Sequence, residues 1–303
     1  MMTHRNDNEW LLTKEGEKRG WIQPLRLAEL WIHTGTACNL RCPFCFEGAS
    51  PGDARIEQMT IAEAVRLVDQ AREIGVKQVS FTGGEPFCNK DLIAMLDHAL
   101  NRLPVLVLTN GTTPLLQRLD EIRPLKSRNF PLKFRISLDY PDSERHEANR
   151  GIGNFAKALR AMRLLAQAGF PVRAARFRND GENTAEVERR YREMFIDNGI
   201  PEETGVVSFP FLPLPGASSN ATEITEDCIR KHCDKSKIET FMCCYSKMAV
   251  KRNGRIAILP CTLVDDDDLY DLGSDLAQTM HYKIMLRHPR CLSCFSEGVK
   301  CDE

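Results

Sequence analysis

The sequence predicts an α/β protein, a partial (βα)6 TIM-like barrel followed by a small cysteine-rich C-terminal extension. Two observations predict the barrel. From residue 28, short runs of apolar alternation are separated by stretches with helical periodicity, the rhythm of a parallel sheet with crossover helices. There are six such units, too few to close an eight-stranded barrel. A third observation predicts the extension: the rhythm stops at the proline- and glycine-rich run FLPLPGASSN (211–220), and eight of the twelve cysteines follow it. The expected division is an N-terminal extension (1–27), a barrel (28–215) and a cysteine-rich unit (216–303).

The strands are expected at AELWIHT (28–34), VKQVSFT (76–82), PVLVLT (104–109), LKFRISL (132–138), PVRAARF (171–177) and GVVSFPF (205–211). The clearest helices are TIAEAVRLVDQAREIG (60–75) and FAKALRAMRLLAQAG (155–169), each ending at glycine. Within the strands, Phe134, Ile136 and Leu138 oppose Lys133, Arg135, Ser137 and Asp139, and Val79 and Phe81 oppose Gln78, Ser80 and Thr82. The apolar faces are expected against the helices and the polar ones inside, giving a wet lumen. On the same logic Arg176 and Arg178 are expected to share the lumen face, opposite Ala175 and Phe177. Asn253-Gly254 predicts a tight hairpin in MAVKRNGRIAILPC, in a segment with little core of its own. Asp265 to Asp268 reads as a solvated acidic loop.

Forty-one basic and forty-two acidic residues nearly cancel, so no global field points to nucleic acid. The first residues lack the apolar core of a secretory signal, and no run is long enough to span a bilayer. The expectation is a cytoplasmic protein without membrane or nucleic-acid partners. In a reducing compartment, cysteine clusters read as metal ligands or catalytic groups rather than as disulfides.

The first cluster is ACNLRCPFC (37–45), with Cys38, Cys42 and Cys45 in a loop that follows the first strand. Barrel active sites lie at that end of the strands. Three thiolates can hold three irons of a 4Fe–4S cluster and leave the fourth open; the alternative is a three-cysteine zinc site with a distant fourth ligand. Four further stretches stand in order: TGGEP (82–86), TNG (109–111), SLD (137–139) and ANRG (148–151). With C-x3-C-x2-C and Phe44 before its last cysteine, these resemble the radical S-adenosylmethionine (SAM) superfamily over roughly residues 28–215. The resemblance implies that Cys38, Cys42 and Cys45 hold a 4Fe–4S cluster whose open iron binds SAM. Reduction then cleaves SAM to methionine and a 5′-deoxyadenosyl radical, which takes a substrate hydrogen. It also implies an electron donor such as flavodoxin or ferredoxin. Gly83, Gly84 and Glu85 are expected at the methionine amino group and the Phe44 backbone at the adenine. Ser137 and Arg150 are candidates for the ribose and carboxylate, with Asn110 and Asp139 as further candidates. Asn110 could instead make a turn, Arg150 could lie on the surface, and Cys88 reads as a small packing residue.

The last quarter resembles the SPASM/twitch extension of many radical SAM enzymes. Cys243 and Cys244 precede the hairpin, Cys261 ends it, and Cys291, Cys294 and Cys301 follow. The last interval is six residues rather than the five of the full SPASM pattern, and the chain ends at Glu303. The expectation is one auxiliary 4Fe–4S cluster held by Cys243 or Cys244 or both, with Cys261, Cys291 and Cys294, and Cys301 as an alternative ligand. A structural zinc ribbon would use the same residues. Cys228 and Cys233 read as packing or surface thiols.

In the lumen, Arg176 and Arg178 are candidates to clamp a carboxylate or phosphate, or else to form an internal ion pair. His33 is a candidate acid/base group or a hydrogen-bonded structural residue. Together these features favour a small polar or anionic substrate, with the auxiliary cluster assisting oxidation or substrate binding. Maturation of a ribosomal precursor peptide is the close alternative. Fewer than thirty residues precede the first strand, too few for an independent peptide-recognition domain. A non-catalytic zinc-binding interaction protein would explain the cysteines but not TGGEP, SLD and ANRG at strand ends.

Overall fold

The computed structural model describes residues 8–179, 181–210, 212–214 and 222–297. An eight-stranded sheet organises them. Its strands are β1 (Glu29–His33), β2 (Gln78–Thr82), β3 (Val105–Thr109), β4 (Leu132–Ser137), β5 (Val172–Phe177), β6 (Val206–Phe209), β7 (Ser246–Arg252) and β8 (Arg255–Leu259). Side by side they run β6-β5-β4-β3-β2-β1-β7-β8. Every neighbouring pair is parallel except β7–β8. The C-terminal ends of β1 to β6 therefore share one edge, where the connecting loops build a mouth.

The crossover helices follow from their sequences. Helix α1 (Ile61–Glu73) starts with a capping box: the Thr60 side chain accepts from the Glu63 N–H, and the Glu63 carboxylate accepts from the Thr60 N–H at 2.8 Å. It buries Ala64, Leu67, Val68 and Ala71, one stripe at helical spacing. Helices α2 (Leu92–Leu100), α3 (Ser143–Arg150), α4 (Asn154–Gln167) and α5 (Thr184–Asp197) continue the pattern. The outward strand residues Leu30, Ile32, Val79, Phe81, Phe134 and Ile136 share one core with Leu67, Met95, Leu96 and Leu165. Each such fully buried side chain contributes about 1.5–3 kcal/mol.

The inner face is mixed. The Glu29 carboxylate accepts from Ser80 Oγ at 2.5 Å and Gln78 Nε2 at 3.0 Å, while Trp31, Leu106 and Met248 belong to a second apolar cluster. In β5 the parity is the reverse of that expected. Val172 and Ala174 pack in the helix-side core, and Arg176 shares their parity. Arg176 is buried with its guanidinium ion-paired to Glu182, Nε donating to Ser208 Oγ at 3.1 Å, and its charge 5.9 Å from the centre of the Tyr191 ring. A charged residue faces outward here because α5 and the loop before it supply partners. Arg178 lies beyond the strand and is exposed.

The hairpin forms as expected, with Asn253 at φ 51° and Gly254 at φ 70°, the double positive pair of a type I′ turn. It is not detached, however. β7 pairs in parallel with β1, Glu29 opposite Ser246 and Ile32 opposite Ala249, and so extends the barrel sheet. The reason is burial: Ser246 to Val250 is enclosed on both faces, as in an interior strand. The N-terminal segment is knitted in as well, with Trp21–Ile22 pairing antiparallel with Ile284–Met285. The acidic run is solvated only in part, with Asp266 and Asp268 exposed. Asp265 is wholly buried, and the four aspartates pair with Arg55, Arg290, His288, Arg287 and Arg252. No helix among the described residues is long and apolar enough to cross a membrane.

Candidate functional site

The loop after β1 carries Cys38, Cys42 and Cys45, and it is fixed from two sides. Ala37 bridges to Ser50, and the N–H groups of Gly84 and Glu85 donate to the carbonyls of Gly35 (2.9 Å) and Ala37 (3.0 Å). The second contact explains the glycine pair. A Cβ on Gly83, where φ is 148°, would lie 2.7 Å from the Gly35 oxygen, and one on Gly84 would lie 2.4 Å from the Thr36 oxygen. The glycine turn is thus pressed directly against the cysteine loop.

A cleft of about 160 Å³ opens at this junction. Cys38, Cys42, Cys45, Phe44, Gly83, Gly84, Asn110, Ser137, Asp139 and Arg150 all line it, so four separate strand ends and the helix after the fourth deliver the expected residues to one place. Burial pushes the Cys38 thiol up to about 12 and raises Cys42 and Cys45 too. Burial disfavours their thiolate forms, so holding all three as thiolates would take a cationic centre between them.

Glu85 does not line the cleft. Its buried carboxylate accepts from Thr109 Oγ1 (2.7 Å), the Asn110 N–H (2.8 Å) and the Phe87 N–H (3.1 Å), locking the end of β2 to the end of β3. Asn110 does more than turn the chain. Its Oδ1 accepts from the Thr112 N–H and hydroxyl, and its Nδ2 donates to Asn39 Oδ1 at 2.9 Å, inside the cysteine loop. Arg150 is not a surface residue. It grips Asp139 with two bonds, of 2.6 and 3.0 Å, and its charge lies 5.2 Å from the centre of the Phe44 ring. Behind this pair, His146 Nδ1 accepts from the Asp139 N–H at 3.3 Å. Burial first, and the Arg150 charge second, push His146 down to about 4. Cys88 is half-buried, and its Sγ accepts from the Asn39 backbone.

The three catalytic candidates from the sequence are placed otherwise. His33 is wholly buried, its Nδ1 accepting from the Gly35 N–H (3.1 Å) and its Nε2 facing Glu47 (3.3 Å); it braces the loop from beneath. Arg176 borders the cleft, but Glu182 and Ser208 occupy its guanidinium, and Arg178 is not a lining residue. The outer wall is aromatic instead: Phe177 stands 5.9 Å from Phe44 and 6.4 Å from Phe209.

The second cysteine group surrounds a small buried cavity. Cys243 comes from the one-turn helix Met242–Tyr245, Cys261 follows β8, and Cys291 and Cys294 lie one turn apart on α6 (Pro289–Glu297). Adjacent helical residues point about 100° apart, so only one of Cys243 and Cys244 can face the cavity. Cys243 does; Cys244 is absent from the lining, and its carbonyl accepts from the Leu25 N–H. Burial and mutual repulsion raise the Cys243 and Cys291 thiols well above their ordinary value, and Cys261 to about 12. Cys301 lies outside the described residues. Cys228 is elsewhere, its Sγ 3.2 Å from Thr225 Oγ1. Among the described residues, no three cysteine, histidine or carboxylate side chains stand close enough to hold a single metal ion.

Sequence patterns missed three buried polar residues around these groups: Glu47, Lys247 and Arg290. Arg290 directly precedes Cys291, which is the one available hint. It donates to the carbonyls of Phe46, Leu263 and Pro213 and pairs with Asp265 and Asp266.

Comparison with known proteins agrees with this geometry. Residues 32–193 match the family model of the Radical SAM superfamily. The antilisterial bacteriocin subtilosin biosynthesis protein AlbA of Bacillus subtilis is 35% identical over 143 residues, 46% of this chain and 30% of that protein. An AdoMet-dependent heme synthase of Methanosarcina barkeri is 26% identical over 192 residues, 62% of this chain and 51% of that protein. The chain thus spans about half the length of these relatives, or less. In fold, it is similar to Streptococcus suis SuiB bound to S-adenosylmethionine, with a TM-score of 0.64 at 16% identity, over 89% of this chain and 68% of that one.

Proposed function

Because this chain belongs to the radical SAM superfamily, we propose that it binds SAM in the cleft beside Cys38, Cys42 and Cys45 and removes hydrogen from an unactivated C–H bond of its substrate. The observation that carries this reading is the convergence of the three thiols, the Gly83-Gly84 turn and the Asp139–Arg150 pair on one cleft. The donor set suits a three-cysteine cluster site: all three ligands are thiols and all open onto the same space. When bound and reduced, a 4Fe–4S cluster supplies the electron that splits SAM into methionine and a 5′-deoxyadenosyl radical. The chain's own part is to hold and shield. The glycine turn admits a ligand close to the backbone, Arg150 is held in place by Asp139, and Phe44, Phe177 and Phe209 exclude water.

In the same reading Cys243, Cys261, Cys291 and Cys294 hold one auxiliary 4Fe–4S cluster that assists oxidation or substrate binding. Residues 28–215 then form the catalytic barrel and 216–303 the auxiliary unit, with a flavodoxin- or ferredoxin-like protein as electron donor. The proposed substrate is a small polar or anionic molecule that enters the cleft beside Ser137. A second reading, an apolar side chain of a precursor peptide, draws support from the aromatic wall and from AlbA, whose name is that of a bacteriocin biosynthesis protein.

The test is anaerobic reconstitution followed by reduction with SAM. The expected result is 5′-deoxyadenosine, lost in C42A. A cluster-loaded protein that forms none under several reductants contradicts the proposal. Deuterium transfer into 5′-deoxyadenosine from labelled metabolites or labelled peptides then separates the two substrate readings.

A further inference from the structure

Lys247, on β7, is wholly buried. Its Nζ donates to the carbonyl oxygens of Cys243 (3.1 Å) and Ser246 (3.0 Å). These two acceptors occupy donors of the ammonium group but leave its full positive charge unmatched. The charges that act on it most strongly are those of Cys243, Cys261 and Cys244, and among the described residues no carboxylate lies within ion-pair distance of it. Arg290, the other cation acting on Cys261, is different, because Asp265 and Asp266 offset it.

An isolated buried ammonium costs several kcal/mol. A fold keeps one where an anion comes to meet it. The nearest candidates in the four-cysteine site are Cys243 and Cys261; the four thiolates around an iron–sulfur core would carry a net negative charge that grows by one on reduction. Net charge and local electrostatics are principal levers on the potential of such a cluster.

We propose that Lys247 is the counter-cation of the four-cysteine site: it offsets the negative charge of a cluster held by Cys243, Cys261, Cys291 and Cys294 and raises its reduction potential. This rests on reading that site as a cluster site. In this role Lys247 is a positioning and tuning residue. It favours the electron-accepting state, as a site that takes up an electron during substrate oxidation needs.

The experiment uses the full chain carrying C38A, C42A and C45A, so that only the second site holds iron. K247M and K247R are added to this background, each protein is reconstituted anaerobically, and iron and sulfide are assayed. The midpoint is then followed by electron paramagnetic resonance during a redox titration. The expected result is about four irons per chain throughout, a midpoint lower in K247M than in the parent, and recovery in K247R. Loss of iron in K247M that K247R restores also supports the charge role. An unchanged midpoint in a fully loaded K247M overturns it, as does equal loss of iron in both variants, which would mark a packing role. An absence of iron in the parent background is a separate outcome: it removes the cluster reading itself, and the proposal with it.

Discussion

The buried Arg290 guanidinium donates to the carbonyl oxygen of Phe46 at 2.6 Å, joining the helix that carries Cys291 and Cys294 to the residue next to Cys45. The same side chain reaches Leu263, Pro213, Asp265 and Asp266. R290M is expected to destabilise the metal-free chain by about 3–5 kcal/mol, the scale of a buried ion pair that loses one partner. R290K should recover little, since an ammonium cannot reproduce the fork. Urea denaturation measures both, and a loss under 1 kcal/mol in R290M would contradict the account.

The glycine turn makes a steric prediction. G84A forces a methyl group to within 2.4 Å of the Thr36 oxygen, so the turn must move off the cysteine loop. SAM affinity of the reconstituted protein, by calorimetry, is expected to fall at least about tenfold, or about 1.4 kcal/mol. Unchanged affinity would show that the turn does not shape the cleft.

The cysteine assignments make a compositional one. The reconstituted wild-type chain should hold about eight irons, from two four-iron clusters. C243A should lose about half, whereas C244A, which removes a thiol outside the cavity lining, should keep nearly all. Zinc in place of iron in protein purified anaerobically would support a zinc ribbon instead. Equal losses in the two variants would reject the assignment of Cys243 alone.

His146 predicts a pH dependence. The fold holds it neutral, with a pKa of about 4, below the ordinary 6.5. Between those values the unfolded chain binds the extra proton. The stabilisation is therefore full above about pH 6.5 and drains as pH falls toward 4, by at most about 3 kcal/mol. The urea midpoint of the metal-free chain should drop between pH 7.5 and pH 5, and this drop should shrink in H146Q. Equal slopes would assign the effect to other groups.

How far the sequence could be read depended on how local each signal was. The six barrel strands stand out because alternation and flanking turns are near-neighbour properties. The cleft residues stand out because the cysteine loop, TGGEP, TNG and SLD each sit at a strand end, where parallel topology gathers them. Arg176 lies on the face opposite to the one its alternation predicts because the partner that decides the matter, Glu182, follows the strand and carries no periodic mark. The burial of Asp265 carries no local mark, because its partners Arg55 and Arg290 are distant in sequence. The choice of Cys243 over Cys244 needed a helical turn that four residues cannot announce.

The parallel pairing of β1 with β7 bears on modularity. Cutting the chain after residue 215 would uncover the edge of β1 and the flanks of Leu30, Trp31 and Ile32, the kind of bare, apolar strand that recruits other chains. The barrel segment is therefore not a portable part. Attempts to graft it onto another auxiliary unit, or to express it alone, need to carry Ser246–Leu259 along as its seam.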